Sequence, residues 1–199
     1  MRVDTPTGIG NRMPTIVNEL PLSKAFRLIE PGPVVLVTTA HEERANVMTM
    51  SWHMVMDFTP RIGCIIGSWD YSFEALCATK ECVIAIPTVD LAGKVVDIGN
   101  CSGRDVDKFR TFGLTPLPAE KVKAPLIAEC LANLECRVVD TSLVEKHDLF
   151  ILEGIKAWID LKRKERRTFH ANGDGTFVAD GRTLDLKKRM VKWASHTVD

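Results

Sequence analysis

The chain has 199 residues, with 26 Lys plus Arg against 26 Asp plus Glu, so its formal net charge is zero. This length suits a single domain whose core can fold without disulfides or metals. Apolar residues make up 45% and charged residues 26%, which are ordinary values for a soluble globular protein. The balanced charge gives no general attraction to nucleic acid or to an anionic membrane, and we expect neither as a partner.

The sequence shows no sign of export. No apolar run approaches the roughly 18 residues needed to cross a bilayer, and residues 1–13 lack the apolar centre of a signal peptide. We therefore expect a cytoplasmic protein, in which structural disulfides are rare. The cysteine spacings include no Cys-x-x-Cys, so no metal site is predicted. Five cysteines are expected to be buried as small hydrophobes: Cys64, Cys77, Cys82, Cys130 and Cys136. Burial is not predicted for Cys101.

Short strands alternate with short helices along the chain. Residues 1–20 form a polar lead-in, and Ser23 is placed to cap a short helix that ends at Pro31-Gly32-Pro33. The predicted helices are residues 23–30, 73–80 and 91–98. The predicted strands are residues 34–39, 45–56, 61–68, 82–87, 128–140 and 149–161. Because the first three strands follow one another with short connections, they indicate antiparallel pairing.

Six or seven short strands with Gly-rich corners predict a mainly β protein. Closure into a small barrel would remove the exposed sheet edges, and the helices would cover its ends or sides. We expect one domain with its core at about residues 20–170 and a basic extension at 171–199. The basic residues Lys187, Lys188, Arg189 and Lys192 predict a solvated helix face rather than an RNA contact.

The common catalytic motifs are missing. There is no Gly-x-Ser-x-Gly, no Walker-type phosphate loop, no Gly-x-Gly-x-x-Gly and no His-Glu-x-x-His. His147-Asp148 and His170 are weak candidates for contact with a ligand, and no catalytic residue is assigned. Hydroxyl-rich corners beside apolar strands instead suggest a protein that holds a ligand.

The segment from Asn46 to Trp52 is the first candidate for ligand binding. On a strand, Val47, Thr49 and Ser51 share one face, and the other face carries Asn46, Met48, Met50 and Trp52. Hydroxyls and an amide suit the phosphate and ring edge of a flavin, and large polarizable groups suit its flat ring. An ordinary amphipathic strand would show the same pattern, so the pattern by itself leaves both interpretations open.

Two further segments offer groups for an anion. Ser68, Tyr71 and Ser72 precede the predicted helix at 73–80, where free N–H groups favour a phosphate, although Ser72 could simply cap that helix. Cys101, Ser102 and Gly103 form a turn that is followed by Arg104 and Lys108 and could close over a phosphate. A surface loop in which Asp105 or Asp107 caps the next helix is the alternative.

Together these segments resemble the flavin reductase-like family with the FMN-binding split barrel, and within it the flavoredoxin-type members. The matching pieces are Val34–Thr39, Asn46-x-x-Thr49-x-Ser51-Trp52, Thr59-Pro60, Tyr71-Ser72 and Ser102-Gly103-Arg104-x-x-Asp107-Lys108-Phe109. Their order and spacing agree over roughly residues 20–170. The combination is much more specific than any one piece.

The resemblance implies a six-stranded antiparallel split barrel of Greek-key type, forming a homodimer with FMN near the subunit interface. It implies phosphate contacts from hydroxyls of the second strand and from Tyr71-Ser72. It implies ring contacts from the backbone around Asn46–Met50, with Ser102, Gly103 and Lys108 closing the site. The chain departs from the family at Trp69-Asp70, where an Arg or Lys is common, so Arg61 or Lys108 is expected to supply the phosphate's cation.

The expected activity is that of an NAD(P)H-dependent flavin or ferric reductase that passes electrons through bound FMN to a small-molecule flavin or a redox protein. No catalytic acid or base is needed, because the cofactor carries the chemistry. The alternatives are a flavoredoxin-like electron carrier that does not oxidise a nicotinamide, and a non-catalytic FMN-binding protein.

Overall fold

The computed structural model describes residues 17–190, so most of the expected lead-in and Lys192 lie outside the described residues. The strands are β1 (Asn18–Leu20), β2 (Val35–His41), β3 (Arg44–Met50), β4 (His53–Val55), β5 (Arg61–Ile65), β6 (Glu81–Ile86), β7 (Pro116–Leu117), β8 (Leu126–Ile127), β9 (Ala132–Asp140), β10 (Leu149–Ile159), β11 (Phe169–Ala171) and β12 (Phe177–Ala179). The helices are α1 (Leu22–Ala25), α2 (Ser72–Thr79), α3 (Ala92–Gly99), α4 (Lys108–Thr111) and α5 (Val144–His147), with 3₁₀ turns at Phe26–Leu28, Val89–Leu91 and Lys187–Arg189.

The main sheet is antiparallel and has the strand order β3-β2-β6-β9-β10-β5-β4. Only Ser51 and Trp52 separate β3 from β4, so one bent stretch of chain pairs with β2 at its start and with β5 at its end. This stretch joins the two ends of the strand order and closes the sheet into a six-stranded barrel. β1 pairs with the second half of β10, beyond the part that pairs with β5. The predicted fold is confirmed.

Strand alternation places one core inside the barrel and another outside it. Val35 and Val37 of β2 lie in the interior core, which also includes Met50 and Leu76. The intervening Leu36 belongs to a second core, formed against α3 and α4. β2 is therefore apolar on both faces, as its continuous run of β-branched and apolar residues indicates.

Most predicted elements agree with the structure, and their ends differ by a few residues. The first helix begins at Leu22 after Pro21, and Ser23 does not cap it. Asp107 does cap α4, because its carboxylate accepts a hydrogen bond from the Arg110 N–H at 3.1 Å. The sequence Asn172-Gly173-Asp174-Gly175 is a strong turn signal that predicts a hairpin. The hairpin is present, with β11 and β12 joined through Gly173 and Gly175 at φ values of 86° and 88°.

Within residues 17–190, no helix is both long enough and apolar enough to cross a membrane.

Candidate functional site

The three predicted segments meet at one cavity of about 250 Å³, which we call the central cleft. It lies between β3, the turn before α2, and the loop that follows α3. The cleft is lined by Asn46, Met48, Thr49, Trp69, Asp70, Tyr71, Ser72, Gly99, Asn100, Cys101, Ser102, Gly103 and Lys108. A second cavity, the outer chamber, continues from it past Met48, Thr49, Met50, Ser51, Trp52, Ile65, Trp69 and Asp70. Segments far apart in sequence therefore form one continuous groove along β3.

Two of the predicted site residues do not line this groove. The Val47 side chain is fully buried in the core against α3, so only its backbone could reach a ligand. Ser68 lies in the turn before α2 but lines neither the cleft nor the chamber. Arg61, expected as a possible cation, lies on β5 opposite Glu153 and also lies outside the lining of both.

A buried hydrogen-bond network fixes the polar end of the cleft. The Asn46 side-chain amide donates to Ser72 Oγ at 2.9 Å, and Thr39 Oγ1 lies 3.4 Å from the same oxygen. Ser72 is the first residue of α2, and the N-cap position is occupied by Tyr71. Its hydroxyl therefore orients Asn46 instead of capping the helix.

Gly103 lies directly against this network. A Cβ atom at position 103 would overlap the side-chain oxygen of Asn46 and would lie 2.7 Å from a ring carbon of Tyr71. Any side chain here would thus displace both residues or fill the polar end of the cleft. The glycine keeps this end open and lets the loop after α3 approach β3 closely.

Two arginines supply positive charge at the rim of the cleft. The Arg44 guanidinium donates a hydrogen bond to the Gly103 carbonyl and lies over the Tyr71 ring, 5.2 Å from its centroid. The Arg104 guanidinium lies 6.0 Å from the same centroid. Arg44 thus connects β3, the turn before α2 and the loop after α3.

Lys108 brings a third cation into the cleft lining. Its ammonium donates to the Ile98 carbonyl at 2.9 Å, and the residue is 5% exposed. Burial lowers the pKa of this ammonium, while Cys101 and Asp70 oppose the shift. Since an ammonium has three N–H donors, two remain for a ligand after the bond to Ile98.

An acidic group lies where the central cleft meets the outer chamber. Asp70 lines both the cleft and the chamber, and its carboxylate accepts a hydrogen bond from the Gly67 N–H at 3.1 Å. Burial raises the pKa of this carboxyl and Asp148 adds to the effect, while the Gly67 N–H and Lys108 act against it. The charge therefore changes along the groove, from arginines at the rim of the cleft to a carboxylate at its junction with the outer chamber.

Along the groove, one edge of β3 has no partner strand within residues 17–190, because β3 pairs only with β2. Ser51, between β3 and β4, makes no hydrogen bond with the described residues. Backbone N–H and C=O groups at an unpaired edge are free to bind a ligand with alternating donors and acceptors. The Thr49 hydroxyl donates its proton to the Val95 carbonyl of α3 at 2.6 Å, so it can only accept a hydrogen bond from a ligand.

Several residues that build the groove were not predicted as site residues. Trp69 and Asp70 lie within the candidate segment before α2, and Gly99 and Asn100 directly precede the predicted turn at Cys101. All four line the groove, and Arg44 ties its walls together. Arg44 carried one available signal, because alternation places it on the same face of β3 as Asn46. The predicted cysteine pattern is largely present, with Cys64, Cys82, Cys130 and Cys136 buried, Cys77 partly buried and Cys101 in the cleft lining.

The structure is thus an antiparallel barrel with a polar groove along the free edge of one strand. A family model described as flavin reductase like domain matches residues 27–177, and this chain belongs to that family. The protein YddH of Escherichia coli (strain K12), described as uncharacterized, is 32% identical over 178 residues. The match covers 82% of this chain and 94% of YddH.

Solved structures show the same fold. An FMN-binding domain of a flavin reductases-like enzyme from Shewanella baltica OS155 is similar with a TM-score of 0.81 and 26% identity, over 87% of this chain and 99% of that one. The flavoredoxin of Desulfovibrio vulgaris (Miyazaki F) gives a TM-score of 0.70 at 22% identity, over 91% of this chain and 96% of that one.

Proposed function

We propose that this protein binds FMN in the central cleft and acts as an NAD(P)H-dependent flavin or ferric reductase. The observation that carries the proposal is the groove along β3, with arginines at one end and unpaired backbone groups along its length. The five residues of extended strand from Asn46 to Met50 span about 13 Å. That length suits a ligand with a flat ring at one end and a phosphate at the other.

The charge distribution sets the direction in which FMN would lie. Guanidinium groups bind phosphate well because their planar N–H donors match its oxygens. Arg44 and Arg104 therefore favour the phosphate near Asn46, Ser102 and Gly103. Asp70 would repel a phosphate. The phosphate would therefore lie at the Asn46 end of β3 and the ring toward the Met50 end.

The residues present fit the ring as well as the phosphate. The free edge of β3 and the backbone of Ser51 offer donors and acceptors to the edge of a ring, and Met48 offers apolar surface. Lys108 offers a positive charge close by, which favours negative charge on a ligand in the cleft. Bound FMN would supply the redox chemistry, and NAD(P)H and a flavin, ferric or protein acceptor would be its partners.

The absorption spectrum of the purified protein tests cofactor binding. We expect flavin peaks, or their appearance when FMN is added to the apoprotein. A colourless protein that takes up no FMN would contradict the proposal. Oxidation of NAD(P)H in the presence of free FMN then tests the reductase activity. A bound flavin that is reduced by a redox protein, but not by NAD(P)H, would indicate an electron carrier instead.

We also propose that the protein is a homodimer. The outward face of the β4 segment carries an apolar stripe, consisting of Trp52, Met54, Met56 and Phe58, whose residues are 67%, 52%, 49% and 48% exposed. Contiguous exposed apolar residues favour association. Light scattering should give the mass of two chains, and Met56→Glu should reduce it to one. The matched control is Val178→Glu, since Val178 is 54% exposed on the β11–β12 hairpin; a monomeric parent protein would contradict this proposal.

A further inference from the structure

The charge of this neutral chain is unevenly distributed along it. Residues 161–190 carry nine Lys and Arg against four Asp and Glu, whereas residues 17–160 carry 14 against 20. The first region therefore has an excess of five positive charges, and the second has an excess of six negative charges. A region with this charge can attract an anionic partner although the whole molecule has no net charge.

Within residues 161–190, the carboxylates are bound by the protein itself and many of the cations are not. Each of the four carboxylates accepts at least one hydrogen bond: Glu165, Asp174, Asp180 and Asp185. Six exposed cations make no side-chain hydrogen bond and no ion pair with the described residues: Lys162, Lys164, Arg182, Lys187, Lys188 and Arg189. We call these six residues the basic surface. Their charges are available to a partner.

The β11–β12 hairpin brings the two stretches of the basic surface together. The Asp180 N–H donates to the Thr168 carbonyl at 2.9 Å, and the Thr168 N–H donates to the Asp180 carboxylate at 2.7 Å. These bonds extend the hairpin beyond both of its strands. The chain that follows Lys162 and Lys164 into β11 therefore runs beside the chain that leaves β12 toward Arg182.

Exposed leucines lie among these cations. Leu161, Leu184 and Leu186 are 63%, 65% and 53% exposed. Apolar side chains surrounded by charged ones are typical of a surface that is covered by another protein. A nucleic acid would instead favour aromatic side chains among the cations, because these stack on its bases. The composition of the surface therefore favours an acidic protein.

The region also begins close to the ring end of the groove. Met50, which lines the outer chamber, pairs with Val35, and the neighbouring Val34 N–H donates to the Phe169 carbonyl at 2.8 Å. Two such strand spacings place the start of β11 about 10–15 Å from Met50. A protein bound to the basic surface would thus lie beside the end of the groove where the proposed function places the FMN ring.

We infer that the basic surface is a docking site for a small acidic electron-carrier protein, which is held by charge and by contact with the exposed leucines. The inference rests on the proposed function and deepens it by naming the class of electron acceptor. Each NAD(P)H that is oxidised supplies two electrons and releases one proton, so it reduces two molecules of a one-electron carrier in turn. Redox proteins commonly meet through small interfaces steered by charge, which a surface of this kind provides.

Binding of an acidic plant-type ferredoxin to the purified full-length protein tests the docking site. Isothermal titration calorimetry measures the affinity at low and at moderate salt. We expect binding at about 20 mM NaCl that weakens about tenfold by about 200 mM, because salt screens the charge pairs. Cytochrome c, a basic electron carrier, should bind at neither concentration. Absence of ferredoxin binding at low salt, or equal binding of the two carriers, would overturn the inference.

Variants separate the contributions of charge and of apolar contact. Lys187→Glu should weaken ferredoxin binding about fivefold at low salt. Leu186→Ser should weaken it about threefold and leave its salt dependence unchanged.

The matched controls lie next to the start of β10, at the end of that strand opposite residue 161. Lys146→Glu makes the same change in net charge as Lys187→Glu, and Leu143→Ser replaces another exposed leucine. Each control should change the affinity less than about twofold. If Lys187→Glu has no effect, or if Lys146→Glu weakens binding equally, the basic surface is not the docking site.

Other anionic partners are tested at the same salt concentrations, with vesicles that contain phosphatidylglycerol and with poly(U) RNA. Tighter binding of either one than of ferredoxin would overturn the assignment of a protein partner. Light scattering tests a second copy of the chain as the occupant, and an assembly larger than a dimer that Lys187→Glu dissociates would also overturn it.

The binding measurements require no electron transfer, so they can fail independently of the proposed function. The flavin spectrum of each sample is recorded before titration. A protein without a flavin signal that takes up no FMN counts against the proposed function. A flavin-loaded protein that does not bind ferredoxin counts against the docking site alone.

Discussion

Two regions outside the barrel collect polar groups beneath a loop, and they differ in whether those groups have partners. Under the loop at residues 119–124, the Glu135 carboxylate is fully buried and accepts four N–H groups. The donors are Glu120 N, Lys121 N, Val122 N and Trp158 Nε1. In the central cleft, by contrast, the cations and the β3 edge keep donors that the described residues do not use.

The difference shows how one fold makes both an anchor and a binding site. A buried polar network that is complete stabilises a particular loop conformation, because each donor would be costly to leave unpaired. The network in the cleft is incomplete, because some of its donors have no acceptor among the described residues, and these donors face an open cavity. The protein's own carboxylate occupies the first region, and we propose that an external phosphate occupies the second.

The largest expected effect comes from breaking the anchor. Glu135→Gln replaces an acceptor oxygen by an NH₂ group that faces other donors, so we expect the free energy of unfolding to fall by about 2–4 kcal/mol. Urea unfolding followed by circular dichroism measures it. FMN affinity of the folded fraction should not change.

Glu129→Gln is the matched control for this change. Glu129 also accepts two bonds from a loop residue, Thr115, but these bonds are exposed to solvent. We expect a loss below about 1 kcal/mol there. If both variants lost the same free energy of unfolding, burial would not be the reason that Glu135 stabilises the protein.

The second prediction fills the open region. Gly103→Ala would force a methyl group against Asn46 and Tyr71, so we expect FMN to bind at least about tenfold more weakly. Fluorescence titration with FMN measures the affinity. Gly93→Ala is the control, because a Cβ there meets no atom within 4 Å; within α3 it should stabilise the protein by about 0.5–1 kcal/mol without affecting FMN.

How far the sequence predicts these regions depends on the range of the interactions involved. The continuous apolar run of Val35, Leu36 and Val37 predicted a buried strand, and the Gly-rich turn near residue 173 predicted the hairpin. Both signals lie within a few neighbouring residues. The capping of α4 by Asp107 is equally local, and the structure contains all three.

Residues whose roles depend on distant chain were harder to predict. Alternation places Glu135 on the outside of β9, where a carboxylate is expected to be solvated, and only the loop at 119–124 buries it. Arg44 reaches the Gly103 carbonyl across 59 positions of sequence. Alternation places Arg44 on the face of β3 that carries Asn46, but it does not indicate this partner. The Trp69 ring similarly lies against the backbone of Gly67, a contact that no pattern in the sequence indicates.

The third prediction concerns the buried cation of the cleft. Lys108→Met keeps the length of the side chain but removes the charge, so FMN affinity should fall about tenfold. Because burial already lowers the pKa of this ammonium, its removal also relieves a desolvation cost, and stability should not fall. Loss of both affinity and stability would indicate that the bond to the Ile98 carbonyl is mainly structural. Lys94→Met, on α3, is the control.

The smallest expected effect lies at a half-exposed network that resembles the Glu135 anchor. The Asp180 carboxylate accepts bonds from His170 at 2.8 Å and from Thr168 at 2.7 Å, and His170 also lies 3.2 Å from the Gly32 carbonyl. If burial determines how much such a network stabilises the protein, Asp180→Asn should lower the free energy of unfolding by only about 1 kcal/mol or less. Urea unfolding at pH 7 measures this.

The pH dependence gives the same network a second test. Burial raises the pKa of Asp180, but the hydrogen bonds from His170 and Thr168 outweigh burial, so the pKa is lowered. A carboxyl with a lowered folded pKa stabilises the protein above its unfolded value of about 3.9, and that contribution disappears as the pH falls through the folded pKa. The stability difference between the parent protein and Asp180→Asn should therefore shrink below about pH 4. A difference that stays constant down to pH 2 would show that the ionised carboxylate is not what holds the hairpin to the Gly32 turn.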